Sequence, residues 1–200
     1  MNIYFPTVKD IEKAHDIFLR NEARDLFYRV ATDLMERTIK GQAELTLAES
    51  LSVLLLTWNN AYYRFRGFDE DHLVKIERLV DENLSAIMGY RAREITTLEE
   101  WEEPQIKKLF SDFEKELGPV GAAKALHMLA PLFFPLWDRG IARAYGLELG
   151  KTGTNSRKYL AFMRVLKEMY SKLKGKILDG SNILKLIDEY NYCRYTKGWL

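Results

Sequence analysis

The chain has one cysteine, Cys193, five prolines and twelve glycines in 200 residues. A lone thiol excludes an internal disulfide framework and points to a reducing compartment. So little Pro and Gly, with no low-complexity tract and no long run of like charge, excludes disordered linkers and collagen-like or mucin-like designs. Long apolar runs are missing as well. The longest, around Val53 to Leu56, lies in a helical pattern that also carries Glu49, Asn59 and Asn60, whereas a bilayer span needs about 20 apolar residues. Met1 to Asp10 shows neither a basic start nor an apolar stretch before a small-residue cleavage site, so no secretory signal is expected. The expectation is a cytoplasmic protein without a membrane partner.

Histidine is scarce too: His15, His72 and His127 stand far apart, and no Cys pair exists. The carboxylates Glu99, Glu100, Glu102 and Glu103 read as a solvated helix start, so neither a metal nor another cofactor is expected. There is no Ser or Cys nucleophile motif. Gly150-Lys151-Thr152 invites a phosphate-loop reading, but Gly146 precedes Gly150 by four residues where the motif needs five, and a helical pattern rather than a strand comes before it. ATP binding through such a loop is excluded.

What remains is 47% apolar and 30% charged residues, enough for one compact domain or for two small lobes sharing a cleft. The net charge of +1 conceals an asymmetry. Residues 1–100 hold 13 Lys and Arg against 18 Asp and Glu, or −5, and residues 101–200 hold 17 against 11, or +6. From Arg139 to Lys176 there are ten basic residues and two acidic ones, Glu148 and Glu168. Such a segment suits an anionic partner, and a solvated Lys-rich helical face is the alternative.

Apolar residues recur at three- and four-residue spacing throughout, with no convincing alternating run, so the fold class is all-α and multi-helical. Ile11, Ala14, Ile17 and Phe18 mark a first helix. Asn21 is read as the N-cap of a second, which Gly41 closes. Thr46 with Glu49 forms a capping box ahead of an apolar helix to about Tyr63. Asp69 or Asp71 opens a helix to Gly89, and Thr97 with Glu100 reads as another capping box before a helix with Pro104 at its start and Gly118 at its end. A short helix over about 120–129 stops at Pro131. Asp138 is placed to cap the helix that Gly146 ends, the loop from Leu147 to Asn155 leads to a long amphipathic helix, and Gly175 and Gly180 bracket a turn before a last helix opened by Ser181 or Asn182.

The richest stretch runs Gly118-Pro119-Val120-Gly121-Ala122-Ala123-Lys124-Ala125-Leu126-His127, followed by Phe134-Pro135-Leu136-Trp137-Asp138-Arg139. Two glycines at a tight helix-to-helix turn let another backbone approach and leave amides free for a phosphate. Lys124, on a helix of small and apolar residues, must snorkel or lose its charge. Asp138, at a helix start beyond a proline-fixed loop, is able to face it.

This stretch resembles the helix-hairpin-helix DNA glycosylase superfamily, whose members carry a Gly-rich hairpin, a helix with a lysine in the lyase-competent members, and a Pro-containing apolar segment ending in an aspartate that starts the next helix. The pattern Lys124, Leu126, His127, Pro131, Phe134, Trp137 and Asp138 is also similar to that of prokaryotic proteins of no assigned activity. The similarity covers roughly residues 117–147. The glycines stand three apart where the superfamily hairpin is typically Gly-x-Gly, and Lys124 lies closer to the aspartate than is usual. The resemblance implies an all-α, two-lobed fold, about 42–117 in one lobe and the N-terminal helices with about 118–200 in the other. It also implies DNA in the cleft and the target base turned out of the stack.

In that setting the neutral amine of Lys124 attacks the sugar carbon bearing the base, and Asp138 steadies the cationic sugar and accepts the proton. The alternatives are a partly buried Lys124–Asp138 ion pair, or an Asp138 that only caps its helix. Trp58, Asn59 and Tyr62 offer aromatic faces and an amide to a base, as do His127 and Trp137, against core packing for the same residues. Gly118, Gly121, Lys151, Arg157 and Lys158 are placed for DNA phosphates, the last three running into a helix N-terminus. A non-catalytic DNA-binding module and a helical protein-interaction module are the other readings.

Overall fold

The computed structural model describes residues 3–177 and 182–200. Among these every regular element is helical: α1 Val8–Asn21, α2 Asp25–Ile39, α3 Leu47–Trp58, α4 Asn60–Arg66, α5 Glu70–Arg91, α6 Glu103–Leu129, α7 Arg139–Ala144, α8 Ser156–Leu173 and α9 Ile183–Asn191. Two 3-10 turns, Ile95–Thr97 and Glu100–Glu102, lead into α6, and a π turn, Tyr192–Lys197, follows α9. No described helix is long and apolar enough to cross a membrane.

Side-chain caps set most starts. Thr46 and Glu49 form their reciprocal box ahead of α3, Asp69 accepts from the amide of His72, and Asp138 and Asn182 cap α7 and α9. Pro104 stands in the first turn of α6, where its missing N–H costs nothing. That helix is broken by Gly118 at φ 69° and ψ 170°, a left-handed φ that an L side chain strains to adopt, and Pro119 restarts it. The second half of α6 is buried on every side from Gly121 to Ala130. Around it the buried apolar residues of α1 to α9, Phe18 apart, form one cluster. α2 packs on α3, α5 and α8 flank α6, and α1 lies against α9.

Four boundaries differ from the sequence expectation. Asn21 is the last residue of α1, its amide donating to the Ile17 carbonyl, and α2 begins after the turn at Glu22–Arg24. The apolar helix after Thr46 ends at Trp58, and α4 starts afresh at Asn60. Gly89 lies inside α5, with open space where a side chain would point, so nothing stops the helix there. The second box forms between Glu99 and Glu102, because the Thr97 hydroxyl turns back to the Glu94 carbonyl. Gly180 and Ser181 lie outside the described residues.

Candidate functional site

α3 ends at Trp58 because Asn59 leaves the helical conformation, at φ −114° and ψ 29°. The Leu55 carbonyl still takes the Asn59 amide at 2.9 Å, whereas the final carbonyl of the helix is left without a helical partner. That of Trp58 accepts from the side-chain amine of Lys124, brought to it by the second half of α6. The Trp58 indole donates in turn to the Arg24 carbonyl at 2.8 Å and stacks on Tyr28, centroids 5.4 Å apart.

Above this junction lies a recess walled by Phe18, Trp58, Leu136, Trp137 and Tyr192, into which Glu22, Arg24, Lys124, Asp138 and Asp188 also face. Its own volume is about 60 Å³, and it is open at the mouth. A groove shares Trp58, Lys124, Asp138 and Tyr192 with the recess and runs on past Asn59, Ala61, Tyr62, the Gly118 to Gly121 turn and Arg139. The lysine, the aspartate and the tryptophan expected to act together thus line one concave site.

Each polar group has a definite state. Burial lowers the Lys124 amine to about 8, against the opposing pull of Asp138 and Asp188. No ion pair joins Lys124 to Asp138 among the described residues. Asp138 is half-buried; its Oδ1 accepts from the Ile141 amide at 2.8 Å and its Oδ2 from the Thr196 hydroxyl at 2.7 Å. Glu22 is held in a fork by Arg24, with both bonds at 2.8 Å, and by the Tyr192 hydroxyl at 2.6 Å. The guanidinium hydrogen bonds hold the Glu22 carboxyl down at about 2. Burial pushes the Asp188 carboxyl up to about 7.

The remaining expected residues divide. Trp137 lines the recess although it is nearly enclosed, its indole donating to the Pro119 carbonyl at 2.9 Å. Asn59 and Tyr62 line the groove, with side chains donating to the carbonyls of Leu117 and Glu116 across the Gly118 break. His127 does not line the recess. It is fully buried, its Nδ1 2.8 Å from the Phe134 carbonyl and its Nε2 2.9 Å from the Tyr28 hydroxyl. A carbonyl only accepts, so Nδ1 carries the proton and Nε2 accepts from Tyr28. Burial lowers this imidazole to about 4, keeping it neutral as a core residue.

Gly118 and Gly121 line the groove, and packing explains both. A β-carbon on Gly121 would stand 2.8 Å from the Asn59 amide nitrogen, and one on Gly118 would stand 3.2 Å from the Tyr62 ring. The turn admits the α3–α4 junction. Lys151, Arg157 and Lys158 lie away from the recess and groove. Lys151 and Arg157 are exposed, and the Lys158 amine donates to the Glu148 carbonyl. The N-terminus of α8 already has an anion of its own. The buried Glu114 carboxylate accepts from the Asn155 amide at 3.3 Å and from the Asn155 side chain. The Asn155 amide is thereby taken, while the first turn of α8 from Ser156 has no side-chain cap.

Sequence reasoning missed Glu22, Arg24 and Asp188. For Asp188 a signal existed: it stands four residues after Leu184 and beside Ile187, on the face of α9 that the apolar residues bury. No protein-family model, curated protein or solved structure matches the chain.

Proposed function

We propose that this chain is a DNA-binding protein of the glycosylase kind, which receives a base turned out of the stack in its aromatic recess and releases it from the sugar. The observation that carries the reading is the convergence of a buried lysine amine and the Asp138 carboxylate on one aromatic-walled recess opening into a groove. A lysine amine lowered to about 8 is neutral in roughly one molecule in ten at pH 7. In that form its lone pair bonds to the sugar carbon C1′ while the glycosidic C–N bond breaks and its electron pair leaves on the base, which takes up a proton from water. Asp138 then takes a proton from the nitrogen and returns it to O4′ as the ring C1′–O4′ bond opens, leaving a protonated Schiff base and a 4′-hydroxyl.

The proposal includes a cytoplasmic setting, a helix-hairpin-helix arrangement in two lobes, and duplex phosphates held by Arg139 at the groove and by Lys151, Arg157 and Lys158 beyond it. Borohydride reduction with duplexes carrying an abasic site or a panel of damaged bases tests it. A protein–DNA adduct is expected that Lys124→Gln abolishes while the helical spectrum is unchanged. An adduct that persists in Lys124→Gln assigns the chemistry to another amine.

A second reading has its own support. Both Asp138 oxygens already accept hydrogen bonds, as they would in a residue that only caps α7. The module then binds DNA without cutting it, and the outcome that favours it is salt-sensitive DNA affinity with no adduct and no released base from any lesion.

A further inference from the structure

Of the carboxyls that face the recess, Asp188 is the one left with nothing to hold. Glu22 is gripped by Arg24 and Tyr192, and Asp138 caps α7 and holds Thr196. Asp188 is 9% exposed, and its side chain has no hydrogen-bond or ion-pair partner among the described residues. It is absent from the fully enclosed polar atoms that lack partners, so the surface it retains opens into the recess it lines. A buried carboxyl without a partner is costly, and one kept at the wall of an open recess gains its partner from what enters it.

The surroundings specify that partner. Trp58, Trp137 and Phe18 give the recess an aromatic wall, against which an aromatic ligand is favoured. Arg24 is on Glu22, Lys185 is on Glu189, and Lys124 gives one N–H to the Trp58 carbonyl. At Asp188 itself a donor-rich ligand edge finds a free carboxylate with two oxygens side by side.

We infer that Asp188 reads the edge of the bound base, accepting two hydrogen bonds from a flat heterocycle that presents a ring N–H beside an exocyclic amine, as guanine-type bases do. This inference rests on the base-binding reading of the same recess. The paired contact requires the ionised carboxylate. Burial, with Asp138 and Glu189 nearby, raises the Asp188 carboxyl, while Lys185 and Lys124 oppose the rise; it ionises above about pH 7. In its acid form the group becomes a donor beside an acceptor and matches an adenine-type edge instead.

The test uses the full chain at pH 8, reading quenching of tryptophan fluorescence, since Trp58 and Trp137 line the recess. The probes are 9-methylguanine, 9-methylhypoxanthine, which lacks the exocyclic amine, and 9-methyladenine, which offers an acceptor beside a donor. 9-Methylguanine is expected to bind at least about tenfold more tightly than the other two, the scale of one bidentate pair. Asp188→Asn, whose amide is an acceptor beside a donor, should shift the preference to 9-methyladenine. The unaltered protein at pH 5.5 should move in the same direction, which keeps the test decisive if the variant does not fold. Base binding without a guanine preference, or a preference kept in folded Asp188→Asn, overturns the role of Asp188 and leaves the recess a base site. No binding of any of the three at millimolar concentration overturns both.

Discussion

The side-chain amine of Lys124 donates to the main-chain carbonyl of Trp58, tying the second half of α6 to the broken end of α3. An ammonium has three N–H donors, and this carbonyl serves one of them. In a site withdrawn from water the charged form is therefore under-served, and burial prevails over the attraction of Asp138 and Asp188.

The first prediction concerns that amine. Carbon-13 spectra of lysine-labelled protein, with the Lys124 signal assigned by its loss in Lys124→Gln, should show it titrating near pH 8. Borohydride trapping at an abasic site should rise with pH through the same midpoint, because only the neutral amine attacks. A Lys124 signal unchanged up to pH 10 would remove the case for a nucleophile.

The second concerns the turn that admits the α3–α4 junction. In Gly121→Ala the new methyl group would stand 2.8 Å from the Asn59 amide nitrogen and 2.9 Å from the Leu117 β-carbon. Overpacking of this kind costs about 1–3 kcal/mol, read as a lower urea midpoint at unchanged slope. Adding Asn59→Ala should recover part of the loss, a coupling that two independent sites would not show.

The third concerns acid. His127 is lowered to about 4 in the fold from an ordinary 6.5, so between those values the unfolded chain binds a proton that the fold refuses. Its contribution to stability is present above pH 6.5 and is lost as pH falls towards 4, on the order of 3 kcal/mol in all. Asp188 acts in the opposite sense, because its folded carboxyl is raised to about 7 and keeps its proton longer than the unfolded one. The difference between the unaltered protein and His127→Gln cancels Asp188. Unfolding free energies measured from pH 7 to 4 should converge for the two proteins, and parallel profiles would contradict the buried neutral imidazole.

The fourth concerns DNA affinity. Each phosphate neutralised adds about 0.9 to the slope of log affinity against log salt. Replacing Lys151, Arg157 and Lys158 together should weaken binding to all sequences alike and flatten that slope. Replacing Lys9, Lys13 and Lys75 in the acidic half should change little. Salt dependence unaltered in the triple variant would mark the basic segment as a solvated face, a role its partly satisfied cations allow: Arg164 is paired with Glu103 and Lys174 with Glu94.

The caps at Thr46 and Asp138 were legible in the sequence, and those at Asp69 and Asn182 to one of two nearby residues, because a cap is local chemistry, settled by three or four neighbouring residues. So was the break at Gly118, where a glycine precedes a proline. Asn21 misled because an asparagine serves a helix at either end. The Thr97 box failed in a competition between two nearby carboxylate registers, which Arg93 decides by holding Glu102 in place. The recess was legible only in part. Trp58, Lys124 and Asp138 stood out by residue type, whereas Glu22 and Arg24 look like ordinary charges of a helix-to-helix turn and Asp188 is marked only by its place among the apolar residues of α9. They become a site because α1 packs against α9, a pairing of segments more than 160 residues apart that no short-range pattern encodes.

The sheathing of the second half of α6 has a kinetic consequence. From Gly121 to Ala130 the segment has no exposed side, and past the first turn after the Gly118 break its amides are bonded within the helix, so local fraying offers solvent no route to them. Deuterium should enter these positions last, at the rate set by global unfolding, long after the termini and the 147–155 loop have exchanged. Lys124 is thus mounted on the stretch of backbone slowest to open.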